Sequence, residues 1–325
     1  MIDPHVHLRD WSQQGKETIL HGLLCAQRAK VDCVFDMPNT SPSITTEALA
    51  RKRIADGNKA CDQVLELTGK RPSYHIYLGL ESDPAQVQQM VRVHSELFGP
   101  VVGLKLFAGP STGNLGLVRK ADREMVYRTL AQSRYTGVLA VHCEDESLFV
   151  NGERPPEAEV RSIAEQLELK ERYGCRFNLH VCHISTKASL DLIRGSATCA
   201  CTAHHCLFSQ PTELRMNPPI RSDKDREAIY QGLLEGRIDW IETDHAPHSL
   251  EDKLKGSAGI PGWANLLRLL RRLREDGLGE DAIRKLTQDN IERAFQIKAP
   301  AYRSSLASDQ DIAYLDGQYP LHALD

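Results

Sequence analysis

Neither sign of charge is in excess along this 325-residue chain, whose formal net charge is −4 and whose pI is near 6.4. That balance excludes a strongly basic nucleic-acid binder. With 41% hydrophobic and 26% charged residues, it also excludes a disordered tail or a collagen-like repeat. No stretch approaches the roughly 18 apolar residues of a membrane helix. The opening Met1-Ile-Asp-Pro-His5 lacks the basic-then-apolar order of a signal peptide, so a cytoplasmic location is expected. No Cys-x-x-Cys pair occurs, and the nine cysteines are an odd number. Several, such as Cys33 and Cys182, sit inside apolar runs. They read as reduced, mostly buried small hydrophobes and not as a disulfide framework. There is no internal repeat and no low-complexity linker.

What the chain does have is alternation. Strand-like runs occur at Ile2–Leu8, Cys33–Met37, Tyr74–Leu80, Val101–Phe107, Val138–His142, Phe177–His183, Thr198–Ala203 and Ile238–Thr243. Amphipathic helical stretches fall between and after them: Glu17–Lys30, Thr45–Cys61, Pro84–Phe98, Asp122–Arg134, Glu157–Tyr173, Lys187–Arg194, Asp223–Leu234 and Gly262–Arg274. Such alternation indicates βα units on a parallel sheet, and eight of them suit a (β/α)8 TIM-type barrel better than an open sheet. Residues 1–297 are assigned to the barrel. Residues 298–325 read as a C-terminal appendage, with Gln310–Asp316 as a lone strand of a small sandwich.

The strongest local signal is Asp3-Pro-His5-Val-His7-Leu-Arg9. Residues two apart on a strand share a face, so Asp3, His5, His7 and Arg9 are expected to point the same way. Two imidazoles so placed can grip one metal ion, with Arg9 offering an anion a cationic fork just beyond. Two hydrogen-bonded histidines on a polar strand would explain that motif equally well alone. Further candidate ligands end other strands, however: His142 the fifth, His183 the sixth and Asp244 the eighth. Barrel active sites are built where strands feed their following loops. Lys105, inside Val101–Phe107, is costly to bury unless paired or modified. An ion pair with Asp244 would satisfy it, and so would carboxylation by CO2 to a carbamate that bridges two metal ions.

This series of His5, His7, Lys105, His142, His183 and Asp244 resembles the binuclear-metal amidohydrolase superfamily. Within that superfamily, the stretch from Ile2 to about Phe295 resembles the dihydroorotases. His5-Val-His7-Leu-Arg9, Met37-Pro-Asn39-Thr, Gly103-Leu-Lys105-Leu, Arg154-Pro-Pro-Glu157, His183-Ile-Ser-Thr, Met216-Asn217-Pro-Pro and Asp244-His-Ala-Pro-His248 carry the likeness. The resemblance implies two Zn2+ per subunit. His5, His7 and Asp244 would hold the more buried ion and His142 and His183 the other, with carboxylated Lys105 and a water or hydroxide bridging the two. It implies that Arg9, Asn39 and His248 hold a substrate carboxylate, while Asn217 and, by spacing, Ala258 contact the pyrimidine ring. The implied reaction is reversible hydrolysis of (S)-dihydroorotate to N-carbamoyl-L-aspartate, its reverse being the ring closure of pyrimidine synthesis. Asp244 would carry the proton from the metal-bridged hydroxide to the leaving nitrogen. The expected partner is a small molecule, with no membrane and no nucleic acid. A homo-oligomer, or a pyrimidine-pathway complex with a partner such as aspartate transcarbamoylase, is compatible with it.

The remaining candidates are weighed as structural. His180 is expected on the strand face opposite His183, and His204 and His205 as packing around the site. His245 should point away from the metals, while His21, His75, His94 and His322 have no constellation around them. Cys143 and Cys182 adjoin ligands but should face away from them. Asp3 could orient a ligand imidazole. Ala108–Gly116 and Cys206–Met216 are lid candidates. Many amidohydrolases place tens of residues before the His-x-His strand, forming part of a small β-sandwich, whereas this chain begins at Met1; either a barrel-only form or a Gln310–Asp316 remnant that packs alone is expected. Three rival readings stand beside the main one. A hydantoinase, dihydropyrimidinase or allantoinase would leave Arg9 and Asn39 nothing to hold. A phosphotriesterase-like hydrolase would share only the ligands. A catalytically dead scaffold would be expected to have lost them.

Overall fold

The computed structural model of the protein describes residues 1–110, 115–304 and 308–319. Eight parallel strands run in sequence order: β1 Ile2–Val6, β2 Cys33–Asp36, β3 Ser73–Gly79, β4 Val101–Ala108, β5 Val138–Cys143, β6 Asn178–Val181, β7 Thr198–Thr202 and β8 Trp240–Glu242. The sheet closes on itself where His7 N donates to His245 O at 2.8 Å, beside a parallel bridge between Val6 and His245. The helices are α1 Ile19–Arg28, α2 Glu47–Thr68, α3 Pro84–Glu96, α4 Lys120–Gln132, α5 Pro156–Arg172, α6 Lys187–Ile193 and α7 Ala203–Leu207. They continue with α8 Asp223–Leu234, α9 Leu250–Leu254, α10 Trp263–Glu275, α11 Glu280–Arg284, α12 Asn290–Phe295 and α13 Asp309–Gln318. This is the expected (β/α)8 barrel.

Local chemistry sets the helix ends. Thr46 caps α2 by accepting from Leu49 N, and Gly69 ends it with a φ of 74° that a side chain would resist. The helix outruns its expected end at Cys61 because Val64 continues the buried face. At α3, Asp83 caps and Pro84 fills the first turn, where a missing N–H costs nothing.

Two layers of apolar side chains follow from the strand alternation. Val34, Leu104, Leu139, Val141 and Val181 face outward to the helices, whereas Phe35, Val102, Val138, Ala140, Cys182, Ala200 and Trp240 fill the barrel. Helix α12, unmarked in the sequence reading, contributes Ile291 and Phe295 to the inner layer, where Phe295 meets Phe35 and Trp240 edge-on or tilted. That aromatic plug covers the end opposite the strand C-termini.

The C-terminal segment departs from expectation. Gln310–Asp316 lies in helix α13 and is not a strand. Ser308 and Asp311 form a reciprocal capping box, and Ile312 and Leu315, one helical step apart, bury against the helical layer with α1 and α10 as neighbours. The Ile-Ala-Tyr-Leu run that suggested a strand is too short to reveal its period.

Candidate active site

Strand β1 carries a register shift between Asp3 and Val6. The shift turns Asp3 away from His5 and His7, against the expectation of a shared face. Asp3 instead accepts from Thr243 N (3.1 Å), Thr243 Oγ1 (2.5 Å) and Trp263 Nε1 (3.0 Å), and orients no imidazole. It ties the end of β8 to α10.

Beyond the shift, His5 and His7 both face Asp244: their Nε2 atoms lie 3.4 and 2.9 Å from Asp244 Oδ1. Opposite them, His142 Nδ1 and His183 Nε2 are 3.3 Å apart. A tetrahedral ion with bonds of about 2.0–2.1 Å separates its ligand atoms by roughly 3.3 Å. Both groups therefore have the spacing of a ligand set, and among the described residues His5, His7 and Asp244 form a buried cluster able to hold an ion. Burial draws His7 down to about 4 despite Asp244, and burial reinforced by His142 holds His183 well below its ordinary value. Neutral imidazoles are the form that ligates metal. Burial alone would raise the Asp244 carboxyl, but His7 and His5 keep it well below the usual range and ionised.

Each histidine pair has a buried glutamate behind it that the sequence reading missed. Glu242 Oε1 meets His5 Nδ1 at 3.0 Å and accepts from His183 N at 2.8 Å. Burial favours a neutral His5, yet Glu242 overrides it and raises the imidazole to about 10. Glu144 Oε2 meets His142 Nε2 at 3.0 Å and is itself held by Arg154. Both carboxylates stand two residues from a ligand, so strand alternation was the signal available. Carboxylates in this position fix the tautomer and orientation of a ligating imidazole.

Lys105 is fully buried, but its partner is not Asp244: Nζ donates to Cys182 Sγ at 3.1 Å. Cys182 was expected to face away from His183. Strand β6 ends at Val181, and His183 adopts a left-handed φ of 35°, so Cys182 and His183 both turn inward. Burial would raise the Cys182 thiol, but Lys105 draws it down to about 5. His180 also faces the barrel interior, stacked on Trp240, while Cys143 faces the helices as expected.

The cavity at the strand C-termini is lined by His5, His7, Arg9, Asn39, His142, His183, Asn217, Asp244, His248 and Ala258, and also by Phe107 and Pro110. Lys105 lies beneath it. Arg9 Nε donates to Pro247 O and Nη2 lies 3.1 Å from His248 Nε2. Burial and Arg9 push His248 down to about 3, so its Nε2 accepts from the guanidinium. Asn39 Oδ1 meets His7 Nδ1 at 2.8 Å. The Ala258 loop is fastened by Gly259 N to Arg215 O and Ala246 N to Ile260 O.

His245 points away from the ligands, onto Glu17 and flat against Trp263. His205 packs between Thr202 and Pro218 O beside His204. Of the lid candidates, Ala108–Gly116 includes residues 111–114 outside the described residues, as does His322. Cys206–Met216 is described, and its Phe208 and Leu214 pack on Met216, Ile220 and Ile260.

No family model matches the chain. A dihydroorotase of Thermococcus kodakarensis is 32% identical over 331 residues, covering 97% of this chain and 72% of its own length. Among solved structures, the L-hydantoinase (dihydropyrimidinase) of Arthrobacter aurescens superimposes with a TM-score of 0.78 at 19% identity, over 91% of this chain and 70% of that one. The dihydroorotase of Campylobacter jejuni gives 0.70 at 20% identity, over 91% and 83%. Identities so low attest the barrel alone. The sequence relationship, running along nearly the whole chain, decides between them: this protein belongs to the dihydroorotases, in the amidohydrolase superfamily of cyclic-amide hydrolases.

Proposed function

We propose that the protein hydrolyses (S)-dihydroorotate reversibly to N-carbamoyl-L-aspartate, the reverse being the ring closure of pyrimidine synthesis. The observation that carries this reading is that Arg9 and Asn39 line the same cavity as Asp244 and the four histidines. Dihydroorotate bears a carboxylate, which dihydrouracil and allantoin lack. A buried guanidinium held by Pro247 O and His248 supplies that carboxylate with charge-assisted hydrogen bonds in a fixed geometry. Asn39, oriented through His7, adds a neutral contact. Asn217 and Ala258, which both line the cavity, would border the ring.

The ligand spacing and the donor chemistry fit a zinc pair. His5, His7 and Asp244 would hold one ion and His142 and His183 the other, with Lys105 carboxylated between them. Such a pair supplies water activation near neutral pH and polarisation of the scissile carbonyl. The chain's own residues do the rest. Asp244, kept ionised, takes a proton from the attacking water and delivers it to the ring nitrogen as the amide bond breaks. Glu242 and Glu144 hold His5 and His142 in register, and Arg9 fixes the ring so that its carbonyl faces the ligands. A cytoplasmic location is supported by nine unpaired cysteines, eight of them buried, the form a reducing compartment maintains.

Initial rates of ring opening test the reading with dihydroorotate, dihydrouracil, hydantoin and allantoin in parallel. Only dihydroorotate should turn over. Arg9→Met should raise KM by roughly 10- to 150-fold, the equivalent of about 1.5–3 kcal/mol of charged hydrogen bonding, with metal content unchanged. Comparable turnover of dihydrouracil, or loss of metal in Arg9→Met, would refute the role given to Arg9.

A further inference from the structure

Arg221, between α7 and α8, is a buried cation whose hydrogen bonds among the described residues all go to neutral oxygens. It is 6% exposed; Nε donates to Ser185 Oγ at 3.0 Å and Nη1 to Arg154 O at 2.6 Å. Nη2 has no partner among the described residues. Burying a guanidinium on such terms is costly. What the bonds accomplish is geometric. Arg154, Ser185 and Arg221 belong to the connections that follow β5, β6 and β7, so one side chain ties three neighbouring loops of the rim.

Two of these connections lead from His142 and His183. On the β5 side, Arg154 Nη1 donates to Glu144 Oε2, which meets His142 Nε2 at 3.0 Å. Arg221 fixes the backbone from which Arg154 reaches. On the β6 side, Ser185 lies two residues beyond His183. Its hydroxyl donates to Glu159 and so accepts from Arg221. That anchor counts for more at His183 than at the other histidines. His5, His7 and His142 rest on Glu242, Asn39 and Glu144 through the ring nitrogen that faces away from the proposed ions. His183 Nδ1 has no such partner among the described residues. Its ring is placed through the backbone instead, by its own N–H on Glu242 at 2.8 Å and by the clamp at Ser185.

We propose that Arg221 is the positioning residue of the His142–His183 pair, setting the separation of their ligating nitrogens by holding the two loops together. The inference rests on the zinc pair proposed above. Arginine suits the role because its rigid fork reaches acceptors in two loops at once, where an ammonium is a point donor on a flexible stem. Removing it should loosen one ion of the pair. The other should stay, since His5, His7 and Asp244 come from β1 and the segment after β8, which the clamp does not touch.

Zinc binding by the full-length chain, followed by competition with a chromophoric chelator, tests this. Wild type should bind two zinc ions per chain. Arg221→Met should bind one as wild type does and the other about 10- to 100-fold more weakly, with unchanged circular dichroism. His142→Ala should lose that same ion, so adding Arg221→Met to it should cost nothing further. Gln210→Ala frees Ile220 O on the same loop without touching Ser185 or Arg154, and should bind zinc as wild type does. Equal weakening of both ions in Arg221→Met, or of neither, would overturn the proposal, as would the same loss in Gln210→Ala. If Arg221→Met fails to fold, Arg221→Lys keeps the buried charge: selective weakening of one ion supports the clamp and anything else overturns it. Unchanged zinc affinities beside full dihydroorotate turnover would sink the clamp alone. Selective weakening in a protein whose wild type does not open dihydroorotate would sink the proposed activity alone, and a wild type that binds a single zinc ion would sink both the pair and the clamp.

Discussion

Replacing Glu17 with glutamine probes how the outer shell braces the active site. Its carboxylate is fully buried and accepts from His245 Nε2 at 3.2 and 3.1 Å and from Tyr319 OH at 2.5 Å. His245 Nδ1 accepts from Gly262 N at 3.1 Å, which leaves the ring proton on Nε2, facing Glu17. Through these bonds one carboxylate joins the entrance of α1, the loop that carries Asp244 and the end of α13. Burial would raise its pKa, but His245 and the surrounding donors pull it from 4.5 to about 2. That depression is worth about 3 kcal/mol of folding free energy at neutral pH. Unfolding entropy of about 2.1 cal/mol/K per residue sums to roughly 0.7 kcal/mol/K over 325 residues, so Glu17→Gln should lower Tm by about 4 K. The sign is fixed: a depressed carboxylate stabilises fully above its unfolded value of 4.5, and its contribution fades as pH falls toward about 2. Thermal unfolding of both proteins, followed by circular dichroism at pH 7 and in steps below pH 4.5, measures this directly. An unchanged Tm at pH 7, or a gap between the two proteins that widens on acidification, would refute the reasoning.

Two further substitutions separate chemistry from scaffold. Asp244→Ala removes the proton carrier, so kcat should fall by about 10²–10⁴-fold. Substantial activity with metal retained would refute the shuttle. Arg53 and Asp36 form a fully buried pair that also binds Leu8 O, Leu8 N and Tyr74 OH, and so fixes the backbone just before Arg9. Breaking such a pair from one side costs about 3–5 kcal/mol, so Arg53→Met should unfold at markedly lower urea. A wild-type urea midpoint would show that the pair is dispensable.

Much of the site was legible because a barrel converts strand order into geometry. His142 ends a run of alternating inward and outward residues, and Asp244 follows one. With all strands parallel, both must arrive at the same rim. Arg9 and Asn39 follow the first two strands and reach that rim for the same reason. The errors lie where a backbone departs from its period. Asp3 leaves the shared face at a shift in β1, and Cys182 joins the interior because β6 stops short and His183 takes a left-handed turn. Neither departure has a local signature, because each is enforced by neighbouring strands.

The sequence by itself determined the alternation of elements, the parallel barrel and the inward face of most strands, since apolar periodicity and strand length are local properties. Only the tertiary structure decided which buried polar groups meet. Glu242 behind His5, Cys182 against Lys105 and Tyr319 on Glu17 are partners from distant parts of the chain. A buried charge takes its partner from whatever the closed barrel brings within hydrogen-bonding distance, and no periodicity along one strand specifies its neighbour across the core.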